Sequence, residues 1–257
     1  MKKFILYAPN VNNGGGLILL NNLISSLQKS ENTLFVLDVR IKKLVDSKLK
    51  IKFVKARLFN RIAMELWLFN NTCKDDTVLF FGNLPPLFPL HCKKILFLQN
   101  RLLVDYVSLK SFNFKSMFRI KYERFWLRNR ISNLDKIIVQ TFTMSNFVKK
   151  LIFNNYDLFM SPAIKILPFR SSLLSNANAL KPNRLKKFDF IYVASYMPHK
   201  NHSNLIMAWK ILAEENIFPS LLLTIDNFSF GQISEDIINI IQIYNPTNST
   251  KKIARRR

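Results

Sequence analysis

Short apolar runs recur along the chain, and each ends in glycine, proline or another small or polar residue. The first run, residues 4–8, is followed by a glycine cluster, after which leucine and isoleucine recur at helical spacing to residue 27. Such runs are typical of strands buried on both faces of a parallel sheet. We therefore predict an α/β fold in which strands alternate with helices. The predicted strands lie at residues 4–8, 34–39, 78–81, 95–98, 137–139, 164–167, 190–194 and 221–225.

A polar stretch at residues 171–187, rich in serine and asparagine, interrupts this alternation and is predicted to be a linker. It separates a domain at residues 1–170 from a second unit at 188–245, and residues 246–257 read as a basic, irregular tail. The second unit contains a predicted helix that begins near Ser203 or Asn204, either of which suits an N-cap. Two strands make too small a sheet for independent stability, so this unit is predicted to be incomplete.

The chain carries 39 lysine and arginine residues against 16 acidic residues, a net charge of +23. So large an excess indicates an anionic partner: nucleic acid, acidic phospholipid or a phosphorylated substrate. Compositional bias is the alternative, because the chain is also rich in asparagine, isoleucine and phenylalanine. No helix-turn-helix, zinc-binding or RNA-recognition pattern accompanies the charge, so we expect no nucleic acid partner.

The sequence predicts a cytoplasmic protein, soluble or peripheral at the inner face of the membrane. Its basic start is followed by too short an apolar run for a signal peptide, and no stretch approaches the roughly 18 apolar residues of a membrane span.

Cys73 and Cys92 are expected to be small core residues in a reducing compartment. His199 and His202 could ligate a metal by type, but no carboxylate or cysteine lies at ligand spacing. No metal or cofactor is expected.

Three glycines, Gly14, Gly15 and Gly16, stand between the first predicted strand and helix in a chain with only 5 glycines. Glycines there let the backbone approach a substrate closely, and a helix start favours phosphate. A tight turn without a ligand is the alternative, because the dinucleotide-binding pattern of spaced glycines is not met.

Residues 188–213 read as a buried strand, a polar loop with His199 and Lys200, and an amphipathic helix. Unpaired N–H groups at the helix start, together with Lys200, could hold a phosphate. A solvated loop lysine is the alternative interpretation of Lys200.

Two further stretches are candidates. Asn100 and Arg101 follow a predicted strand and could bind sugar hydroxyls or phosphate, although ordinary capping roles fit them as well.

Residues 110–130 combine seven basic residues and one acid with interleaved aromatics, as in a helix that lies on an anionic membrane. A helix that packs on the core with a charged outer face is the alternative. The candidate membrane residues are Lys115, Arg119, Lys121, Arg124 and Arg128.

Four stretches resemble the GT-B glycosyltransferases, specifically the group 1 family of retaining enzymes. They are residues 3–16, 137–150, 164–169 and 192–205, of which the last, YVASYMPHKNHSNL, is the most specific. The resemblance implies two Rossmann-like domains, an N-terminal one that binds the acceptor and a C-terminal one that binds a nucleotide sugar. It also implies transfer of the sugar to a glycan or lipid-linked acceptor.

Within this resemblance, Lys200 matches a lysine that contacts the donor diphosphate, and His199 lies beside it. Many members carry an arginine five residues earlier, where this chain has Ser195, as some relatives do. The family's paired glutamates lie beyond the second strand of the C-terminal domain and have no counterpart in this sequence. The resemblance therefore predicts a truncated member with little or no activity, and a non-enzymatic membrane- or partner-binding module is the alternative.

Overall fold

The computed structural model describes residues 2–105, 107–110, 112–153, 161–168, 188–194, 200–224 and 252–253. Contacts divide the chain into two units, Met1–Asn176 and Ala177–Arg257. The predicted linker, residues 171–187, lies outside the described residues. The predicted domain limits therefore remain predictions.

The first unit is built on a seven-stranded sheet in which every described pair of neighbouring strands is parallel. This confirms the predicted α/β fold with a mainly parallel sheet. The strands are β1 (Phe4–Ala8), β2 (Thr33–Asp38), β3 (Ile51–Val54), β4 (Thr77–Phe80), β5 (Lys93–Phe97), β6 (Lys136–Val139) and β7 (Ala163–Ile166). The helices are α1 (Gly14–Leu27), α2 (Leu58–Asn71), α3 (Phe114–Arg130) and α4 (Phe142–Phe153).

Alternate residues of the inner strands supply two separate cores, one on each face of the sheet. Ile5 and Tyr7 of β1 belong to one core with residues of α2, α3 and α4, whereas Leu6 and Ala8 belong to the other with residues of α1. Because successive side chains of a strand point to opposite faces, strands that are apolar throughout require helices on both faces. This explains why the strands read as continuous apolar runs.

The sheet reverses its direction of growth between β1 and β4. The strand order is β3-β2-β1-β4-β5-β6-β7, which places β1 beside both β2 and β4. This order begins as in a doubly wound Rossmann sheet, in which ligands bind outside the carboxyl ends of the strands at the reversal. The loops that follow Ala8 and Phe80 leave the sheet at this point.

The second unit contains β8 (Phe190–Tyr192), α5 (His202–Glu214), β9 (Leu221–Leu223) and β10 (Lys252–Ile253). Strands β8 and β9 are parallel, and β10 pairs antiparallel to β9. The sequence had assigned Lys252–Ile253 to an irregular tail. The N-cap of α5 is Asn201, and not Ser203 or Asn204 as expected, so the helix begins at His202. Asn201 has a left-handed backbone (φ 56°), and its side chain makes no capping hydrogen bond.

Two further sequence expectations differ from the structure. Cys92 is buried as expected, but Cys73 is exposed, because it follows the end of α2 in a turn. The strand β3 and helix α2 were not predicted. Strand β3 lies at the edge of the sheet, where Lys52 is exposed, so it lacks the continuous apolar run of the inner strands.

Candidate functional site

The three glycines form the first turn of α1 at the reversal of the sheet, one residue beyond the N-cap Asn13. Gly14 has a left-handed backbone (φ 60°), which favours glycine over any residue with a side chain. Asn13 makes no side-chain hydrogen bond to the helix, and the first turn contains no acid. The first N–H groups of a helix have no intrahelical partner, so this start can receive an oxygen or an anion.

Gly15 and Gly16 are not required by packing. A Cβ atom at Gly15 would meet no atom within 4 Å, and one at Gly16 would meet only the Val11 side chain at 3.5 Å, an ordinary contact. Glycine in a helix costs up to about 1 kcal/mol relative to alanine. The fold alone therefore gives no reason for glycine at these two positions, whereas close approach of a ligand to the backbone does.

The loop after β4 begins on the other side of the reversal, with Gly82 and Asn83. Gly82 also has open space around the position of a Cβ atom. Asn83 has a left-handed backbone (φ 65°), and its Oδ1 accepts hydrogen bonds from the backbone N–H groups of Gln99 and Asn100, at 2.7 and 2.9 Å. Asn83 thus joins the carboxyl ends of β4 and β5, and no sequence argument had selected it.

Asn100 and Arg101 lie at the carboxyl end of β5, as predicted, but both make local contacts. The Asn100 side chain accepts a hydrogen bond from the Leu102 N–H at 3.1 Å and so caps a short 3₁₀ helix, Arg101–Leu103. The Arg101 guanidinium pairs with Asp105 at 2.6 Å and lies over the Phe147 ring, yet 64% of its side chain is exposed. Its outward face remains accessible to an anion.

A buried charged network lies beneath this edge and was missed by sequence reasoning. Glu65 of α2 is fully buried; it accepts hydrogen bonds from Arg61 at 2.9 Å, from the Leu87 N–H and from the Tyr7 hydroxyl at 3.4 Å. The Arg61 guanidinium also lies 4.4 Å from the centre of the Trp126 ring. Burial and the neighbouring Glu65 raise the pKa of Tyr7, so its hydroxyl stays protonated and donates. The network ties the β4–β5 loop to α2 and α3.

In the second unit, Lys200 is exposed and stands two residues before α5. Its backbone carbonyl accepts a hydrogen bond from the Tyr192 hydroxyl at 2.6 Å, which fixes the loop to the strand. His202 is buried with its ring 5.1 Å from that of Tyr192, and burial lowers the pKa of His202. The first turn of α5 contains no acid. His199 and Ser195 lie outside the described residues.

The predicted membrane residues lie on α3 and differ in their surroundings. Lys115, Arg119, Lys121 and Arg128 are exposed. Arg124 instead donates hydrogen bonds to the carbonyls of Leu102 and Asp105, both at 2.8 Å, and so holds α3 against the segment after β5. Arg124 therefore has a structural role as well.

Among the residues that the structure describes, no helix is both long and apolar enough to cross a bilayer. Nor do these residues bring together three histidine, cysteine or acidic side chains as metal ligands would be.

The sheet and its glycine-lined reversal define the chain as a doubly wound α/β protein with a candidate ligand site at the carboxyl edge. No protein-family model matches it, and neither does any curated protein. Among solved structures, it is similar to UGT2 of Phytolacca americana in complex with UDP-2-fluoro-glucose and pterostilbene, with 12% identity over 94% of this chain and 70% of that chain and a TM-score of 0.45. The apo form of the same protein gives 12% identity over 93% of this chain and 71% of that chain, with a TM-score of 0.46. A UDP-glucosyltransferase from Polygonum tinctorium capable of glucosylating indoxyl is also similar, with 8% identity over 93% of this chain and 69% of that chain and a TM-score of 0.43.

Proposed function

We propose that this chain is a nucleotide-sugar-dependent glycosyltransferase of the GT-B kind, which moves a sugar to a glycan or lipid-linked acceptor. The observation that carries the proposal is the uncapped, glycine-built start of α1 at the reversal of the sheet. Glycines that the fold does not need, beside unpaired N–H groups, suit a site at which a phosphate or sugar hydroxyl touches the backbone.

The donor side of the proposal rests on Lys200. Its exposed ammonium group precedes a helix start that carries a partial positive charge and no acid. Together these charges would offset the negative charge that develops on a leaving nucleoside diphosphate. His199 and Ser195 are assigned to the same donor site from the resemblance of residues 192–205 to the group 1 family.

The acceptor side of the proposal rests on the first unit. The exposed face of Arg101 and the open space around Gly15 and Gly82 lie at the carboxyl edge of one sheet. An acceptor with hydroxyl or phosphate groups could be held there by the guanidinium and by backbone N–H groups. A lipid-linked acceptor would require this unit to work at a membrane surface.

Thermal melting with nucleotides tests the donor site. The full chain is melted alone and with UDP, GDP and their sugars. A ligand present at about 100 times its dissociation constant should stabilise the folded state by about 2.7 kcal/mol. We expect a rise in melting temperature that Lys200→Ala abolishes. Lys210→Ala is the matched control, because Lys210 is an exposed lysine farther along α5 that pairs with Glu214.

The glycines are tested separately with Gly15→Leu and Ile18→Ala. Both residues are exposed on α1, but only the first change fills the open space at the helix start. Where the full chain transfers sugar, followed as nucleotide release with a lipid or glycan acceptor, Gly15→Leu should abolish the transfer and Ile18→Ala should retain it. Where it transfers none, as the resemblance to a truncated member predicts, nucleotide-dependent melting is the test. No melting shift with any nucleotide, or equal loss with Lys210→Ala, would contradict the donor site.

A further inference from the structure

Four large aromatic side chains of α3 are exposed along one line, which we call the aromatic ridge. Exposed fractions are 77% for Phe114, 66% for Phe118, 51% for Tyr122 and 65% for Phe125. Their spacing of four, four and three residues places them within an arc of about 80° on a helix of 3.6 residues per turn. The ridge is thus a continuous apolar strip about three turns long.

Buried residues on the other faces of α3 fix the ridge in its outward position. Ile120, Trp126 and Leu127 are buried in the core, and Arg124 is bonded to two carbonyls of the segment after β5. Turning the ridge inward would expose these apolar side chains and break those hydrogen bonds. The ridge is therefore a stable feature of the surface.

Exposed cations flank the ridge on both sides. At 100° per residue, Lys121 and Arg128 lie on one side of it, and Lys115 and Arg119 lie on the other. The single acid of α3, Glu123, lies behind Arg119, with which it pairs at 3.9 Å, and is only 24% exposed, whereas 68% of the Arg119 side chain is exposed. Burial raises the pKa of Glu123. The surface therefore combines an apolar strip with positive charge and almost no negative charge.

Other exposed aromatic residues in the described part of the first unit are isolated from one another. Phe59, Phe142 and Phe153 lie at the ends of α2 and α4, without a described aromatic neighbour at helical spacing. Single exposed apolar side chains are normal on protein surfaces, whereas contiguous strips mark interaction sites. The four aromatic residues of α3 form a contiguous strip of this kind.

We propose that the aromatic ridge of α3 is a docking surface for an anionic phospholipid bilayer. The aromatic rings enter the boundary between headgroups and acyl chains, and the flanking lysines and arginines contact the lipid phosphates. A flat bilayer fits a convex helix that has cations on both sides of an apolar strip. Single-stranded nucleic acid is bound instead in positively charged grooves that track its backbone.

The ridge begins close to the candidate site along the chain. Helix α3 follows β5, so its first residue, Phe114, comes after the carboxyl-edge segment that contains Asn100 and Arg101. If the proposed function holds, docking would keep that edge near lipid-linked acceptors; this step rests on the proposed function, but the docking surface does not. Vesicle binding is therefore measured without nucleotide, so that each proposal can fail alone.

The test is co-sedimentation of the full chain with vesicles of phosphatidylcholine, with and without phosphatidylglycerol. We expect binding to the anionic vesicles that weakens as salt is raised, because surface charges are screened. The triple variant Phe114→Ser, Phe118→Ser, Phe125→Ser should bind at least about tenfold more weakly. The double variant Phe59→Ser, Phe142→Ser is its matched control and should bind as the wild type does. Circular dichroism and melting check that each variant is folded.

Charge is tested in the same assay. Lys115→Glu with Lys121→Glu should weaken binding at least about tenfold, since each cation near an anionic surface contributes separately. Lys43→Glu with Lys48→Glu changes the net charge equally at exposed positions elsewhere in the first unit and should have a smaller effect. Equal losses in the two pairs would mean attraction by net charge alone and would overturn the proposal.

Insertion of the ridge is tested with Phe118→Trp, read as the difference from the wild type because Trp67, Trp126 and Trp209 also fluoresce. The added fluorescence should shift to shorter wavelength with anionic vesicles and be quenched by brominated acyl chains, while that added by Phe142→Trp should show neither change. A folded protein that ignores anionic vesicles overturns the proposal. So does a dimer in solution that the triple variant dissociates, because the ridge would then be covered by a second copy.

Discussion

Glu65 shows how much of the first unit depends on one buried carboxylate. It accepts hydrogen bonds from Arg61, Tyr7 and the Leu87 N–H, and it is fully buried. Removing it leaves the Arg61 guanidinium buried without its ion-pair partner. We expect Glu65→Ala to lower the free energy of unfolding by about 3–5 kcal/mol, as measured by denaturant titration.

A paired substitution separates the cost of leaving the Arg61 charge unpaired from the cost of losing side-chain volume at position 65. Arg61→Met with Glu65→Leu removes both charges and fills the space with apolar atoms, so it should cost less than Glu65→Ala alone. Glu31→Ala, at an exposed position, should change stability by less than about 0.5 kcal/mol. If Glu65→Ala costs no more than Glu31→Ala, the network has no structural role.

His202 should make the second unit sensitive to acid. Burial lowers its pKa below the ordinary value of 6.5, so the unfolded chain binds more protons than the folded one as pH falls below that value. Stability is therefore complete above about pH 6.5 and is lost as pH falls through the folded pKa.

The measurement is the denaturant midpoint for hydrogen exchange of α5, at about pH 7.5 and about pH 5.5. We expect the midpoint to fall at the lower pH, and to fall less in His202→Leu. His91→Asn replaces a histidine of the first unit and should leave the midpoint of α5 as it is in the wild type. An equal fall in His202→Leu and wild type would show that other groups cause it.

Residue roles were predictable from the sequence only where the chemistry is local. Gly14 and its neighbours stood out because they are rare and follow a strand. Arg61 and Glu65 did not, because an arginine and a glutamate four residues apart look like an ordinary exposed helix pair. Their burial depends on Tyr7, Leu87 and Trp126, which come from distant parts of the chain.

At the scale of the element, the start of α1 predicts opposite effects for adjacent glycines. Gly14→Ala places a side chain on a left-handed backbone and should destabilise the protein by about 1–2 kcal/mol. Gly15→Ala meets open space and replaces a weak helix former, so it should be neutral or stabilise by up to about 1 kcal/mol. Denaturant titration of the two variants is the measurement. Destabilisation by Gly15→Ala would mean that packing, and not a ligand, explains this glycine.

The elements that sequence predicted well are those whose burial is uniform. The inner strands β2, β1, β4, β5 and β6 are covered on both faces, so they read as apolar runs and were located to within two residues. Helix α3 was predicted as basic and aromatic, but the sequence did not show which aromatic residues face outward. Trp126 is buried and Phe125 is exposed, and the contacts of Arg124 decide this rotation.

At the scale of the whole molecule, the described residues of the two units differ in how much apolar surface they bury. The first unit has two cores on the faces of a seven-stranded sheet. Among the described residues of the second unit, only Ile206, Leu221, Leu223 and His202 are buried, and Phe190, Ile191 and Val193 are more than half exposed. Conformational entropy opposes folding at every residue, so the unit with less burial should be the less stable.

Native-state hydrogen exchange with added denaturant tests this difference. Amides of β8, α5 and β9 should exchange at lower denaturant concentration than those of β1 and β4, because they belong to a smaller cooperative unit. A nucleotide that binds through Lys200 should raise protection in α5 more than in β1, since it stabilises only the states that bind it. If both units lose protection together at every denaturant concentration, the chain unfolds as one cooperative body. A nucleotide bound at the donor site would then raise protection in both units, and not in the second unit alone.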